Sequence, residues 1–336
     1  MKRHILRLAT IPLSKKMTSS SSSPATKAWG AWQVRPSGFT QLVVESMRKL
    51  YPEELADRSW DNVGLLLGNE DVDSNPPSSP KVMITNDLTF QVAVDAIRQD
   101  VSVIVSYHPF IFSGLKSITC KDAQQATLIR LARAGIAVYC PHTAVDAAPS
   151  GLNNWLASVI AGPHNDDRSI AVPASAAAAA AVSRPDEKVG YGAVGRFYAP
   201  VPLPEILLRL AAHLGGLRYL MIARPVGAEV ADISVRSFAV CAGSGYDVLK
   251  AVDADLLVTG ETSHHSALRA IQQGRTLVQV FHSNSERAYL RRVLRPRLLK
   301  LLTVDVPEAE VVMSEYDKDP FTVVDVRDLK MYEVEE

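Results

Sequence analysis

From residue 81 onward, short strand-length apolar runs alternate with longer stretches in which apolar residues recur every three or four positions. Val82 to Thr85, Val101 to Ser106 and Ile136 to Cys140 are the runs; Phe90 to Gln99 and Asp122 to Ala134 between them are amphipathic at helical spacing. Strand, helix, strand, helix, strand with short links predicts a parallel, doubly wound sheet. The same order returns later. Val235 to Cys241 reads as a strand, Gly243-Ser-Gly245 as a turn and Tyr246 to Val252 as a helix. Leu256 to Thr259 and Thr276 to Phe281 are strands, and Ser263 to Gln272 and Ser285 to Leu294 are helices. The fold class expected is α/β: two linked, related halves with mostly parallel sheets.

The boundaries follow from where the pattern fades. Residues 1–38 form a basic tail, 39–160 the first half, 161–188 a linker or insertion, and 189–336 the second half. Ala161 to Lys188 shows no clear apolar period and carries the alanine run Ala176 to Ala181. Pro202 to Gly215 reads as a helix with Pro204 in its first turn. After Thr303 come short β-like runs, Glu310 to Met313 and Phe321 to Val324.

Composition adds two points. With 336 residues, 47% hydrophobic and 21% charged, the chain can bury a sizeable core. Its formal net charge is zero, so no global charge argues for nucleic acid or a membrane surface, and no apolar run approaches the ~18 residues of a span. Three scattered cysteines make neither a disulfide framework nor a cysteine metal site. The first 44 residues hold seven Lys or Arg and no Asp or Glu, with the run Ser19 to Ser23. That is the composition of a mitochondrial transit segment or of a disordered basic tail, and Met17 could begin a cytosolic form. The expected location is mitochondrial, cytoplasmic or both.

The chemistry lies at the strand ends. In a parallel α/β sheet, ligands bind at the carboxyl ends of the strands. Four of these ends read Tyr107-His108-Pro109, His142 to Asp146, Gly260 to His265 and Phe281 to Glu286. Five of the eight histidines, His108, His142, His264, His265 and His282, sit there, with Asp146, Glu261 and Glu286 beside them. Imidazole and carboxylate are the ligand set of zinc, iron or manganese, a carboxylate can bridge two such ions, and an ion with an open position lowers the pKa of a coordinated water. Each feature also has a plain structural explanation. His108 can be polar punctuation at a strand exit. His142 with Asp146 can be an Asx-type turn. Ser283 to Glu286 fits a helix capping box, and Gly243-Ser-Gly245 can be a tight turn or a phosphate cradle. Arg287 is near enough in sequence to meet an anionic substrate.

Five motifs, Ser59-Trp-Asp-Asn-Val-Gly-Leu-Leu-Leu-Gly68, Ser106-Tyr-His-Pro-Phe-Ile-Phe112, His142-Thr-Ala-Val-Asp-Ala-Ala148, Gly260-Glu-Thr-Ser-His-His265 and His282-Ser-Asn-Ser-Glu286, together resemble the Nif-three-like family. Its members are also labelled GTP cyclohydrolase I type 2 homologues. The resemblance runs from about Phe39 to the C-terminus. It implies a Nif-three-like fold, a centre of two divalent metal ions and a homo-oligomer, often a hexamer. It further implies His108, Asp146, His282 and Glu286 as metal ligands, Asp146 as the bridge, and His142 as a catalytic acid/base or supporting group. Many members have two histidines where this chain has Tyr107-His108. A neutral phenol with a pKa near 10 is a poor ligand, so one ion should be held more weakly here. The expected function is a metal-dependent hydrolase for a small phosphorylated or nucleotide-like substrate; the alternative is a metal-containing regulatory or scaffold protein with protein partners.

Overall fold

The computed structural model describes residues 36–70, 79–180, 182 and 188–329. Residues 1–35 of the basic tail, with the serine run and Met17, lie outside the described residues, and the expected tail's last residue, Gly38, already begins the first helix. Helix α1 (Gly38–Leu50) opens on Ser37, whose hydroxyl accepts from the Thr40 amide. Strands β1 (Gly64–Leu67), β2 (Lys81–Thr85), β3 (Val103–Ser106) and β4 (Ala137–Cys140) follow, with α2 (Phe90–Arg98) after β2 and α3 (Ala123–Arg133) after β3. Thr89 and Asp122 cap these two helices by accepting from the amides of Val92 and Gln125. Helices α4 (His142–Ala147) and α5 (Leu152–Ala161) complete this part.

The second part contains β5 (Asp166–Pro173), α6 (Ala176–Ala180), β6 (Gly190–Pro202), α7 (Leu203–His213) and β7 (Met221–Ala223). It continues through β8 (Ser234–Cys241), α8 (Tyr246–Leu249), β9 (Leu256–Thr259), α9 (His264–Gln272), β10 (Thr276–Gln279) and α10 (Asn284–Tyr289). A π-helical turn, Leu290–Leu294, then leads into α11 (Arg295–Asp305). Pro296 lies in the first turn of α11 and has no N–H to give, which is the place for a helix to widen. Leu290, Leu294, Leu298 and Leu302 form one fully buried stripe at four-residue spacing. The last strand is β11 (Glu310–Met313).

Two sheets result, ordered β1-β4-β3-β2-β11 and β5-β6-β8-β9-β10-β7. In the first, β11, β2, β3 and β4 are mutually parallel and only β1 is antiparallel. In the second, only β8, β9 and β10 run parallel; β5, β6 and β7 flank them antiparallel. The parallel centres match the expectation, and the antiparallel flanks are what the pattern concealed.

Two segments depart from the expected layout. The stretch from 161 to 188 contains β5, an edge strand paired to β6 from Asp166↔Phe197 to Pro173↔Gly190. None of its eight residues is fully buried, its Asp166-Asp-Arg-Ser start is polar, and so no apolar period marked it. The chain after residue 303 returns to the first sheet, where β11 lies parallel to β2. Phe321 to Val324, the other β-like run, forms no strand and is exposed.

One core cluster joins the two sheets. Val82, Val105 and Tyr139 of the first share it with Phe238, Leu256 and Val278 of the second. At its middle the hydroxyls of Tyr51 (after α1) and Tyr289 (α10) meet at 2.8 Å, and Tyr289 also donates to the Ser150 carbonyl at 3.0 Å. Arg297 donates to that same carbonyl at 2.8 Å. Arg297 also reaches the Tyr51 hydroxyl, so removing the Tyr289 hydroxyl takes one partner from Tyr51 and leaves both Tyr51 and Ser150 with Arg297. Tyr289→Phe should cost about 0.5–1.5 kcal/mol, the net contribution of one buried hydrogen bond, read as a lower urea midpoint with an unchanged m-value.

Candidate metal centre

The parallel strands of both sheets end at one place. Asn86 and Asp87 follow β2 directly, His108 is two residues past β3, and His142 two past β4. From the other sheet, Gly243 is two residues past β8, Glu261 two past β9 and His282 three past β10. The ladders continue past the strands, with the amides of Tyr107 and His108 donating to the carbonyls of Thr85 and Asn86 at 2.9 and 3.0 Å. In the first sheet the chain steps from β2 to β3 to β4, while β11 lies on the far side of β2. That reversal is where an open α/β sheet forms its crevice, and Asn86, Asp87 and His108 stand in it.

Three side chains converge. His108 Nε2 lies 3.3 Å from His282 Nε2 and 3.5 Å from Glu286 Oε2, and His282 Nε2 lies 3.3 Å from Glu286 Oε1. The other nitrogen of each imidazole is held by a carboxylate: His108 Nδ1 by Asp87 at 2.8 Å, His282 Nδ1 by Glu261 at 2.9 Å. A carboxylate accepts Nδ1–H and so presents the Nε2 lone pair inward, the arrangement that orients metal-ligating histidines. A tetrahedral ion with bonds of about 2.0–2.1 Å holds its donors about 3.3–3.4 Å apart, so the triad fits a divalent cation. Glu286 is 2% exposed, and its Oε2 also accepts from Asn86 Nδ2 at 3.1 Å.

Backbone strain gathers here. His142 and Phe281, the residue before His282, have φ of +26° and +68°, and Gly243 has φ of +58°. Non-glycine residues in this region persist where the surroundings over-determine them. A Cβ on Gly243 would stand 2.9 Å from Glu286 Oε1 and 3.1 Å from His282 Nε2. The glycine is thus needed for close approach to the triad. Its amide donates to Ser285 Oγ and that of Gly245 to Thr259 Oγ1, so these two N–H groups are committed within the protein rather than to a phosphate.

The charges shape one another. Burial alone would raise Glu286, but hydrogen bonds from His108 and His282 outweigh it and hold the carboxyl down at about 2. For His108, burial works to lower the pKa, and hydrogen bonds to Asp87 and Glu286 overcome this to lift it to about 10. His282 is lifted to about 9, first by its hydrogen bond to Glu286, with burial opposing. Two imidazoles whose Nε2 atoms face each other can share only one proton between them, whereas a cation accepts both lone pairs.

The remaining predicted residues fall at varying distances from the triad. Asp146 lies outside the three converging groups; its Oδ1 accepts from the Tyr107 hydroxyl at 2.7 Å. Burial raises its carboxyl to about 6, with His142 and Tyr107 pulling the other way. Tyr107, 2% exposed, is pushed well above 10 by burial and then by the Asp146 and Glu286 charges, so it stays a neutral donor. His142 and Asp146 are four residues apart on α4, hence on one helix face rather than in an Asx turn. His142 Nδ1 is 2.7 Å from Asp61 Oδ1, and its ring lies 5.4 Å from that of His108. The Ser283 side chain does not cap α10; its hydroxyl donates to Asp319, and Glu286 serves the triad instead. His264 and His265 are exposed on α9 and face each other at 5.5 Å; among the described residues no contact joins either to the triad. Arg287 turns to Asp317, 3.3 Å away, rather than to an open pocket. Sequence reasoning missed Asn86, Asp87 and Asp61. The first two were within its reach, because they stand at the carboxyl end of a predicted parallel strand.

A cation entering the triad displaces the proton held between the facing Nε2 atoms of His108 and His282, so metal binding should tighten as pH rises. Hydrogen bonds to carboxylates raise both imidazoles above their ordinary value, so apparent zinc affinity should climb by up to about tenfold per pH unit for that one proton between pH 6 and 9. Calorimetry in buffers of different ionisation enthalpy reads both affinity and proton release; a flat profile would contradict the assignment. Gly243→Ala should weaken zinc binding while the chain stays folded, as judged by circular dichroism.

The comparisons with known proteins bear on family and fold. The family model described as Duf34/NIF3 (NGG1p interacting factor 3) matches residues 40–320. A Schizosaccharomyces pombe protein named Protein NIF3 homolog is 44% identical over 289 residues, covering 86% of this chain and 98% of its own. The Saccharomyces cerevisiae protein named NGG1-interacting factor 3 is 37% identical over 288 residues, covering 84% of this chain and 96% of its own. Among solved structures, a Staphylococcus aureus hypothetical protein superposes with a TM-score of 0.65 at 23% identity, covering 85% of this chain and 99% of its own. With its two α/β sheets and its strand-end His and Glu cluster, the chain belongs to the Duf34/NIF3 family.

Proposed function

We propose that this protein is a metal-dependent hydrolase for a small phosphorylated or nucleotide-like substrate, with one cation held by His108, His282 and Glu286 and a second bridged through Asp146. The observation that carries the reading is the 3.3 Å approach of two carboxylate-oriented Nε2 atoms over a buried Glu286. Divalent cations bound there would supply Lewis acidity and lower the pKa of a coordinated water.

The chain's own groups support hydrolysis in three ways. Asp61 fixes the His142 ring through Nδ1 and also accepts from the Thr143 hydroxyl and amide. This leaves His142 Nε2 as the atom that takes or returns a proton, the division of labour of an Asp–His pair. Asp146, with its pKa near 6, ionises readily once positive charge is added nearby. Tyr107 steadies that carboxylate by donating to it.

A second reading is a metal-containing regulatory or scaffold protein. It is favoured by the printed name of the S. cerevisiae relative, NGG1-interacting factor 3, and by the exposed apolar residues Phe321, Val323, Val324 and Val326 near the C-terminal end of the described chain. A second copy of this chain, in a ring such as a hexamer, would cover such residues as well as another protein would.

Metal analysis of the purified protein followed by a hydrolysis screen over nucleotides and phosphorylated metabolites separates the readings. Asp146→Asn should lower metal affinity by about 10- to 100-fold and remove turnover with it; partner binding that survives metal loss, with no turnover of any substrate when fully loaded, would favour the scaffold. Tyr107→His should tighten binding of a second cation, and an unchanged metal stoichiometry and affinity would show that the phenol is not a weakened ligand position.

A further inference from the structure

The Ser59-Trp-Asp-Asn62 turn contributes nothing to the triad, yet it organises the ground beside it. Asp61 holds His142. Asn62 Nδ2 donates to the Ile111 carbonyl, which ties the loop after His108, and with it Phe112, to the same turn. Asp57 Oδ2 accepts Trp60 Nε1–H at 2.9 Å, while its Oδ1 accepts from the Ser59 hydroxyl and amide at 2.5 and 3.2 Å. One turn therefore places a proton-transfer group and two aromatic rings. The indole lies 5.8 Å from the His142 ring at 86° and 6.2 Å from the Phe112 ring at 47°.

Both rings stay open to solvent, with Trp60 51% and Phe112 52% exposed. An indole pinned by a hydrogen bond but half uncovered has already lost its rotational freedom and keeps its apolar area available. Each ring can bury about 150–250 Å², so the pair falls well short of the roughly 800 Å² per partner of a stable protein interface. The area suits one ring system. Flat π surfaces bind planar heterocycles with little regard to their hydrogen-bonding edges. The location selects the occupant, because the platform borders His142, which borders His108.

We infer that Trp60 and Phe112 form a stacking platform for a planar heteroaromatic ring of the substrate, laying the rest of that molecule against His142 and the His108 triad. The inference rests on the hydrolase reading and narrows its substrate to one carrying a base-like ring.

Full-length protein is titrated with AMP, GMP and ribose 5-phosphate by calorimetry, with tryptophan fluorescence followed in parallel. Both nucleotides should bind at least about tenfold more tightly than ribose 5-phosphate. Trp60→Ala should lose about tenfold or more in nucleotide affinity and leave ribose 5-phosphate unchanged, and Trp60→Phe, which keeps a ring, should stay within about threefold of the natural chain. The inference is overturned if neither nucleotide binds, if ribose 5-phosphate binds as well as they do, or if Trp60→Ala binds them undiminished. A Trp60→Ala chain with unchanged nucleotide affinity and an altered sedimentation coefficient would assign this face to a second copy. Trp60-dependent nucleotide binding without metal-dependent turnover would uphold the platform and defeat the hydrolase reading.

Discussion

Glu286 is a carboxylate buried where two sheets meet, and the arrangement around it follows from the cost of keeping it there. A buried charge is tolerated only when it is paired and hydrogen-bonded. His108 and His282 approach its two oxygens, and Asn86 donates to one of them. Those partners come from β3, β10 and β2, so the two sheets must be set with their carboxyl ends together before the charge is compensated. Gly243, without a Cβ, lets a further strand end close in on the same oxygens.

This requirement ties site to core. The buried leucine stripe beyond α10 and the Tyr51–Tyr289 contact fasten the element that carries Glu286 to α1 of the first part. The outer groups, Asp87, Glu261 and Asp61, each hold the Nδ1 of one histidine. The three rings are thereby oriented by carboxylates from three separate strand ends or turns, and the strained backbone at His142 and Phe281 is the local cost of aiming them. The resulting site is a small cluster of imidazoles, each oriented by a carboxylate, with two of them facing the buried Glu286.

Much of this was legible along the chain. Alternating apolar runs marked β2, β3, β4, β8, β9 and β10, because buried parallel strands are nearly continuous in hydrophobic residues. The strand-end rule then singled out His108, His142, His282 and Glu286. Edge strand β5 escaped because none of its residues is fully buried and so no apolar run marks it, and β11 looked like part of a tail because its partner β2 is more than two hundred residues away. The roles of Asp61 and Trp60 were hidden for a similar reason: each depends on contacts with residues about fifty to eighty positions later.

The sequence by itself determined the α/β class and most of the parallel strands of its two sheets, the residue types available for metal binding and the strand ends that carry them, since hydrophobic period and composition are local properties. Only the tertiary structure decided which of those residues meet. It brought His108, His282 and Glu286 within ligand distance, gave Asp146 a hydrogen bond from Tyr107, and left His264 and His265 in solvent. Distances of a few ångströms between residues up to 178 positions apart depend on how two sheets pack across a shared core, and no short stretch of chain encodes that.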